Sequence, residues 1–252
     1  MLLYAGESVP GASGLSQDVI YASPESGIFI LLTATREDPP AEQFTPLALE
    51  ILCARLERKI GSVEDRIREA ITLANNEIYS LASKNGRELA FMLAVLIVEG
   101  AQASIGLVGT TRVFQVGVES IRDLAAGRSS EDGARQSEAG PATVDRPEAA
   151  RTVGSREHEP EDRDFIEFFE LGFEPESGLL LCSESLARSV PKADILKVIS
   201  QNPGNRTRAV RALLDLASAS RAEGTVSLLF IEGERLGRSL RRRATASKRN
   251  LL

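Results

Sequence analysis

A single histidine, two cysteines and one hydroxyl at the end of an apolar run are the residues from which chemistry could first be argued. His158 is the only histidine in 252 residues and lies in a charged stretch. A lone imidazole cannot build a histidine-rich metal site, and this placement argues against a Ser-His-Asp triad. Cys53 and Cys182 both sit in apolar sequence, with no C-x-x-C spacing. They read as buried free thiols in a reducing compartment, not as a disulfide or a zinc site. The stretch GIFILLTATRED, residues 27–38, begins with five apolar residues in a row. Such a run predicts a strand buried on both faces. It stops at Thr33-Ala34-Thr35, where many enzymes place a carboxylate that reaches into a cleft. Here there is a hydroxyl and a methyl.

The elements that must position these residues are those of a soluble globular chain. Hydrophobic residues make up 42% and charged residues 26%, which argues against disorder, and the absence of Trp predicts a mostly aliphatic core with some Phe. Seven basic residues and no acid follow Glu234, so removing those +7 charges from the net −6 leaves −13 on the body. An acidic body disfavours nucleic acid as a partner. The N-terminal sequence lacks the pattern of a secretory signal. No apolar run reaches the ~18 residues needed to cross a bilayer. The expected location is cytoplasmic.

Along the chain, residues 1–14 read as small and turn-rich, with strands expected at 18–22 and 28–32. Pro46 suits the first turn of a helix, with Leu47, Leu49, Ile51, Leu52, Leu56 and Ile60 as its stripe and Gly61 as its stop. Ser62 and Asp65 form a capping-box pattern for a second helix. Its stripe is Ile67, Ala70, Ile71, Ala74, Ile78 and Leu81. Strands follow at 89–98, 103–108 and 112–116, the first two joined by a hairpin at Glu99-Gly100. Helices grouped between strands indicate α+β, not repeating βαβ units. Residues 126–163 hold few large apolar residues and read as a mobile insertion. Residues 165–173 are again apolar, with acids interspersed; further strands are expected at 178–182 and 225–231, and helices at 194–199 and 206–219. Residues 235–252 read as a basic tail with no fixed structure in isolation.

Five stretches in this order resemble the metal-dependent protein phosphatases, the protein phosphatase 2C-like (PPM) family. They are GESVPGASGLSQD (6–18), ILLTATRE (30–37), VGTTR (108–112), LLCSESL (180–186) and EGTVSLLFIEG (223–233). AITLANNEIYSLASKNG resembles the family's second helix, and RTVGS (151–155) its R-x-L-G segment. The resemblance covers about residues 5–233 and implies a four-layer α-β-β-α sandwich, two antiparallel sheets flanked by helices. It implies a domain over 1–234, carrying the insertion at about 126–163, ahead of the tail at 235–252. The family norm is two Mg²⁺ or Mn²⁺ ions at one end of the sandwich. They activate a water that attacks phosphoserine or phosphothreonine, and the ions need several carboxylates as ligands.

By that resemblance the strand end at Thr33 stands where the family keeps the aspartate that bridges both metals. Ala34 stands at a glycine whose carbonyl is a ligand, and Ser13 at the phosphate-binding arginine. Thr110 and Thr111 replace Asp-Ser, Glu184 and Ser185 replace Asp-Gly, and Glu223 and Gly224 replace Asp-Asn. Asp18 alone is retained in type. The implied protein is a pseudophosphatase with no catalytic residue and no bound metal pair. It would act by binding a protein, a Ser/Thr kinase or a phosphoprotein. Nucleic acid is not expected, and the tail would give weak contact with anionic surfaces. The alternative is an active metal-dependent Ser/Thr phosphatase with a non-standard site. A third reading is a structural or sensor module whose insertion carries the function. As bland readings, the threonines are strand-end residues with satisfied hydroxyls, and Glu184 and Glu223 are solvated acids near helix starts. RRRAT, residues 241–245, resembles a site for basophilic kinases.

Overall fold

Alternating burial on a fully apolar strand sets the layers. In the computed structural model, the strand Ile28–Ala34 places Ile28, Ile30 and Leu32 in one core cluster and Phe29 and Leu31 in another. Both faces are covered, as the unbroken apolar run requires. The structure describes residues 2–10, 18–34, 41–86, 90–125, 152–154, 158, 165–222 and 224–249.

Within these residues the elements are β1 (Leu3–Val9), β2 (Val19–Ser23), β3 (Ile28–Ala34), α1 (Ala41–Leu56), α2 (Val63–Lys84), β4 (Phe91–Glu99), β5 (Gln102–Val108), β6 (Arg112–Val116) and β7 (Ile121–Asp123). They continue with β8 (Glu167–Gly172), β9 (Gly178–Cys182), α3 (Glu184–Ser189), α4 (Lys192–Gln201), α5 (Arg206–Ala219), β10 (Val226–Glu232) and α6 (Leu236–Arg249). Two antiparallel five-stranded sheets form, in the orders β1-β10-β9-β6-β7 and β2-β3-β4-β5-β8. Phe29, Leu31, Leu96, Ile105, Leu181 and Leu229 are among the side chains that fill the space between them. Helices α1 and α2 cover the outer face of the second sheet, and α3 to α6 that of the first. This is the α-β-β-α sandwich that the resemblance implies.

Local chemistry fixes the helices. Ser62 caps α2: its hydroxyl accepts from the Asp65 amide at 3.1 Å, while the Asp65 side chain takes the Ser62 amide. The Ser62 hydroxyl also donates to Asp65 Oδ2 at 2.7 Å, and that bond, followed by the one from the Ser62 amide, holds the Asp65 carboxyl below its usual range. Helix α2 lies so close to β5 that a Cβ at Gly106 would sit 2.4 Å from Ile67 Cγ2. Only glycine permits that approach.

Several expectations are corrected. The N-terminal residues form β1, whose main-chain bonds to β10 do not require an apolar sequence. Pro46 lies inside α1, beyond the first turn. Ile60 is 64% exposed and leaves the helical stripe, because α1 ends at Leu56. Of the expected insertion, most lies outside the described residues, but Val153 is docked. Its amide and carbonyl pair with Phe91 at 2.8 and 2.9 Å, and Asn75 Oδ1 accepts from the Gly154 amide at 2.7 Å. His158 is held similarly, its amide and carbonyl bonded to the Asn76 side chain and its ring stacked on Phe165. Most of the expected tail is helix α6, with Leu236 and Leu240 buried against the first sheet's helices. Two leucines four residues apart are enough to dock one face and leave the arginines outside.

Candidate functional site

Strand register brings the site positions to one end of the sandwich. Thr33 lies opposite Met92, Val108 opposite Leu93, and Ser8 opposite Ser227. Cys182 pairs with Arg112 on one side and Leu228 on the other. Asp18 immediately precedes β2, Thr33 and Ala34 end β3, and Thr110 and Thr111 lie between β5 and β6. Glu184 is the first residue of α3. Ser13 and Glu223 lie outside the described residues.

Asp18 is held by the protein from two sides. Oδ1 accepts from the Ala34 amide at 3.1 Å, and Oδ2 accepts from the Ser227 hydroxyl at 2.5 Å. Ser227 is fully buried, and its Oγ also lies 2.7 Å from Ser8 Oγ. Its amide donates to Ser183 Oγ at 3.1 Å, and its carbonyl accepts from the Ser183 amide at 2.9 Å. Ser183 precedes Glu184, so one chain of hydrogen bonds runs from the end of β3 to the start of α3. Ala34 thus contributes its N–H, where the resemblance implies a carbonyl ligand.

Glu184 is also engaged. Oε2 accepts from the Thr110 hydroxyl at 2.6 Å, and Oε1 pairs with Arg188 at 2.5 Å. The pair spans one helical turn with the acid on the N-terminal side, the favourable orientation. Met92 Sδ packs against the same Thr110 oxygen. Thr33, Met92, Thr110 and Glu184 therefore form one contiguous wall. Glu184 is not simply a solvated acid, as expected, because Thr110 now supplies a proton donor rather than a second carboxylate. Thr111 departs from expectation too: it is 2% exposed, and its Oγ1 has no hydrogen-bond partner among the described residues. Beside this wall, burial pushes the Cys182 thiol far up. It stays protonated and is not a nucleophile.

Two dications need carboxylates between and around them to offset their mutual repulsion. The described residues at these positions offer Asp18 and Glu184, each already accepting from protein donors, and a neutral Thr33. Among the described residues no three His, Cys, Asp or Glu side chains gather where they could hold a metal ion. Glu223 lies outside the described residues, so the described donor set is two carboxylates and one neutral hydroxyl. What it suits is a hydrogen-bonded closure of the sandwich end.

The fold is that of the PPM-type Ser/Thr phosphatases. The chain is similar to the structure described as PppA, a key regulatory component of T6SS in Pseudomonas aeruginosa, at 19% identity, TM-score 0.72, covering 92% of this chain and 97% of that one. It is similar to the catalytic domain of the serine/threonine protein phosphatase PstP in complex with two manganese ions, at 17% identity and TM-score 0.72, with 92% and 97% covered. Stp1 from Staphylococcus aureus aligns at 16% identity and TM-score 0.72, over 92% of this chain and 95% of that one. The chain matches no family sequence model and no curated protein sequence.

Sequence reasoning missed Ser8, Ser183, Ser227, Met92 and Arg188. The Glu184–Arg188 spacing was a readable signal. Ser227 gave none, because its carboxylate partner is 209 residues away.

Proposed function

We propose that this chain is a phosphatase-fold protein that acts by binding rather than by two-metal hydrolysis. One observation carries the reading: the described carboxylates at the site hold protein donors. Asp18 takes Ala34 and Ser227, and Glu184 takes Thr110 and Arg188. A carboxylate engaged this way has fewer lone pairs left for a metal, and Thr33 offers no charge in compensation. With no metal pair, no water has its pKa lowered toward 7 to serve as nucleophile. The partner class that suits this fold is a phosphoprotein or a Ser/Thr kinase in the cytoplasm. A regulatory role is consistent with the similarity to PppA, itself described as a regulatory component of T6SS. The basic face of α6 would add weak, salt-sensitive contact with anionic surfaces.

The test is hydrolysis of a phosphothreonine peptide and of p-nitrophenyl phosphate in Mn²⁺, with and without chelator. No Mn²⁺-dependent turnover is expected. Turnover at an ordinary enzymatic rate that chelator abolishes would replace this reading with that of an active phosphatase using a non-standard site.

A further inference from the structure

A second polar cleft opens beside the site, on the outer side of Glu184. It encloses about 360 Å³ and is lined chiefly by Glu184, Ser185, Arg188, Ser189, Ser220 and Arg221. That volume is within the range of small-ligand pockets. Its polar groups come from two places: α3 supplies Arg188, and the turn that closes α5 supplies Arg221.

Arg221 is the unusual member. Its φ is +55°, in the left-handed region where glycine is preferred. It closes α5 through main-chain bonds from its own amide to the Ser218 carbonyl and from the Ala222 amide to the Ala217 carbonyl, at 3.0 and 3.1 Å. Glycine normally occupies this position after a helix. An arginine here therefore carries backbone strain that a glycine would not. It is exposed, and its guanidinium makes no ion pair or hydrogen bond among the described residues. Arg188 is half exposed and gives one nitrogen to Glu184. Among the described residues, the cleft presents two guanidiniums and one carboxylate, Glu184, already engaged by Thr110 and Arg188.

We propose that this cleft binds a phosphomonoester dianion, with Arg188 and Arg221 as its ligands. Guanidinium forks match the oxygen geometry of phosphate, and paired arginines recognise phosphorylated side chains by charge-assisted hydrogen bonds. The cleft is separate from Ser13, where the resemblance placed a phosphate-binding residue. The hydroxyls of Ser185 and Ser220 supply further donors at the wall. The proposal rests on the non-hydrolytic reading and names the ligand class that such a protein would hold.

The experiment is fluorescence anisotropy of the full chain with a labelled phosphoserine peptide of otherwise neutral sequence and with its unphosphorylated twin. Inorganic phosphate is the competitor. Phosphopeptide binding at least tenfold tighter than that of the twin, and reversed by phosphate, is expected. Arg221→Gly should weaken it at least tenfold while the thermal midpoint holds or rises, since glycine suits φ +55°. In the unmodified chain, the Nε–H resonances of Arg188 and Arg221 should both move on titration with inorganic phosphate. Movement of both without peptide binding would support the anion cleft and assign it to free phosphate. Equal binding of the two peptides, binding unaffected by Arg221→Gly, or resonances that stay fixed would overturn the proposal. A phosphopeptide that is hydrolysed would count against the non-hydrolytic reading; one that stays intact and unbound while both resonances stay fixed would count against this cleft alone.

Discussion

Replacing Ser227 by Ala removes one oxygen from the centre of the hydrogen-bond chain. Ser227 is fully buried, and its Oγ meets Asp18 Oδ2 at 2.5 Å and Ser8 Oγ at 2.7 Å. A hydrogen bond to a charged group contributes about 1.5–3 kcal/mol. Asp18 is half-buried and keeps the Ala34 amide, so water replaces part of what is lost. The low end, ~1.5–2 kcal/mol, is the expected cost. For a chain of this length that lowers the thermal midpoint by roughly 3–8 °C. A double-mutant cycle of Ser227→Ala with Asp18→Ala, followed by urea unfolding, isolates the bond from side effects on packing. Coupling of about 1–2 kcal/mol is expected, as for residues in one network. Coupling indistinguishable from zero would refute the claim that Asp18 is bonded to the protein at this point.

Thr110→Val keeps the shape and removes the proton donated to Glu184. With Arg188 still paired and Glu184 only 25% exposed, the loss should be about 1 kcal/mol by urea unfolding. Ser62→Ala removes the cap of α2 and destabilises the chain at neutral pH. Because the Asp65 carboxyl is held below its usual range, its contribution is present above the unfolded-state carboxylate value and lost as pH falls through the lowered one. The difference between Ser62→Ala and the unmodified chain should therefore narrow in acid. Leu240→Ala should detach α6, since Leu240 is 3% exposed and buried leucines cost about 2–5 kcal/mol when truncated. Hydrogen exchange of the α6 amides should speed up while that of β9 stays slow.

The sandwich was legible where burial leaves a periodic or continuous apolar trace. The runs at β3, β4, β9 and β10 and the stripe and cap of α2 are of that kind. β1 was not legible, because an edge strand facing β10 is held by main-chain bonds and carries mixed side chains such as Tyr4, Gly6 and Glu7. Helix α6 hid behind its arginines, since only Leu236 and Leu240 mark its buried face. At the site, the residue types at Asp18, Thr33, Thr110 and Glu184 could be read, but their contacts could not. Asp18 and Ser227 meet across two sheets, and Thr110 and Glu184 are 74 residues apart. Beside the Val153–Phe91 bridge, Gly154 and His158 are bonded to Asn75 and Asn76 of α2, whose purpose no local pattern discloses.

Calorimetric titration of the full chain with Mn²⁺ tests the central claim most directly, because it asks whether the carboxylates will exchange their protein donors for metal. The account predicts no tight binding of two ions and no rise in thermal midpoint at millimolar Mn²⁺, since any ion bound only by the folded chain would raise it. Two-site binding with micromolar dissociation constants, abolished by Asp18→Asn, would contradict it.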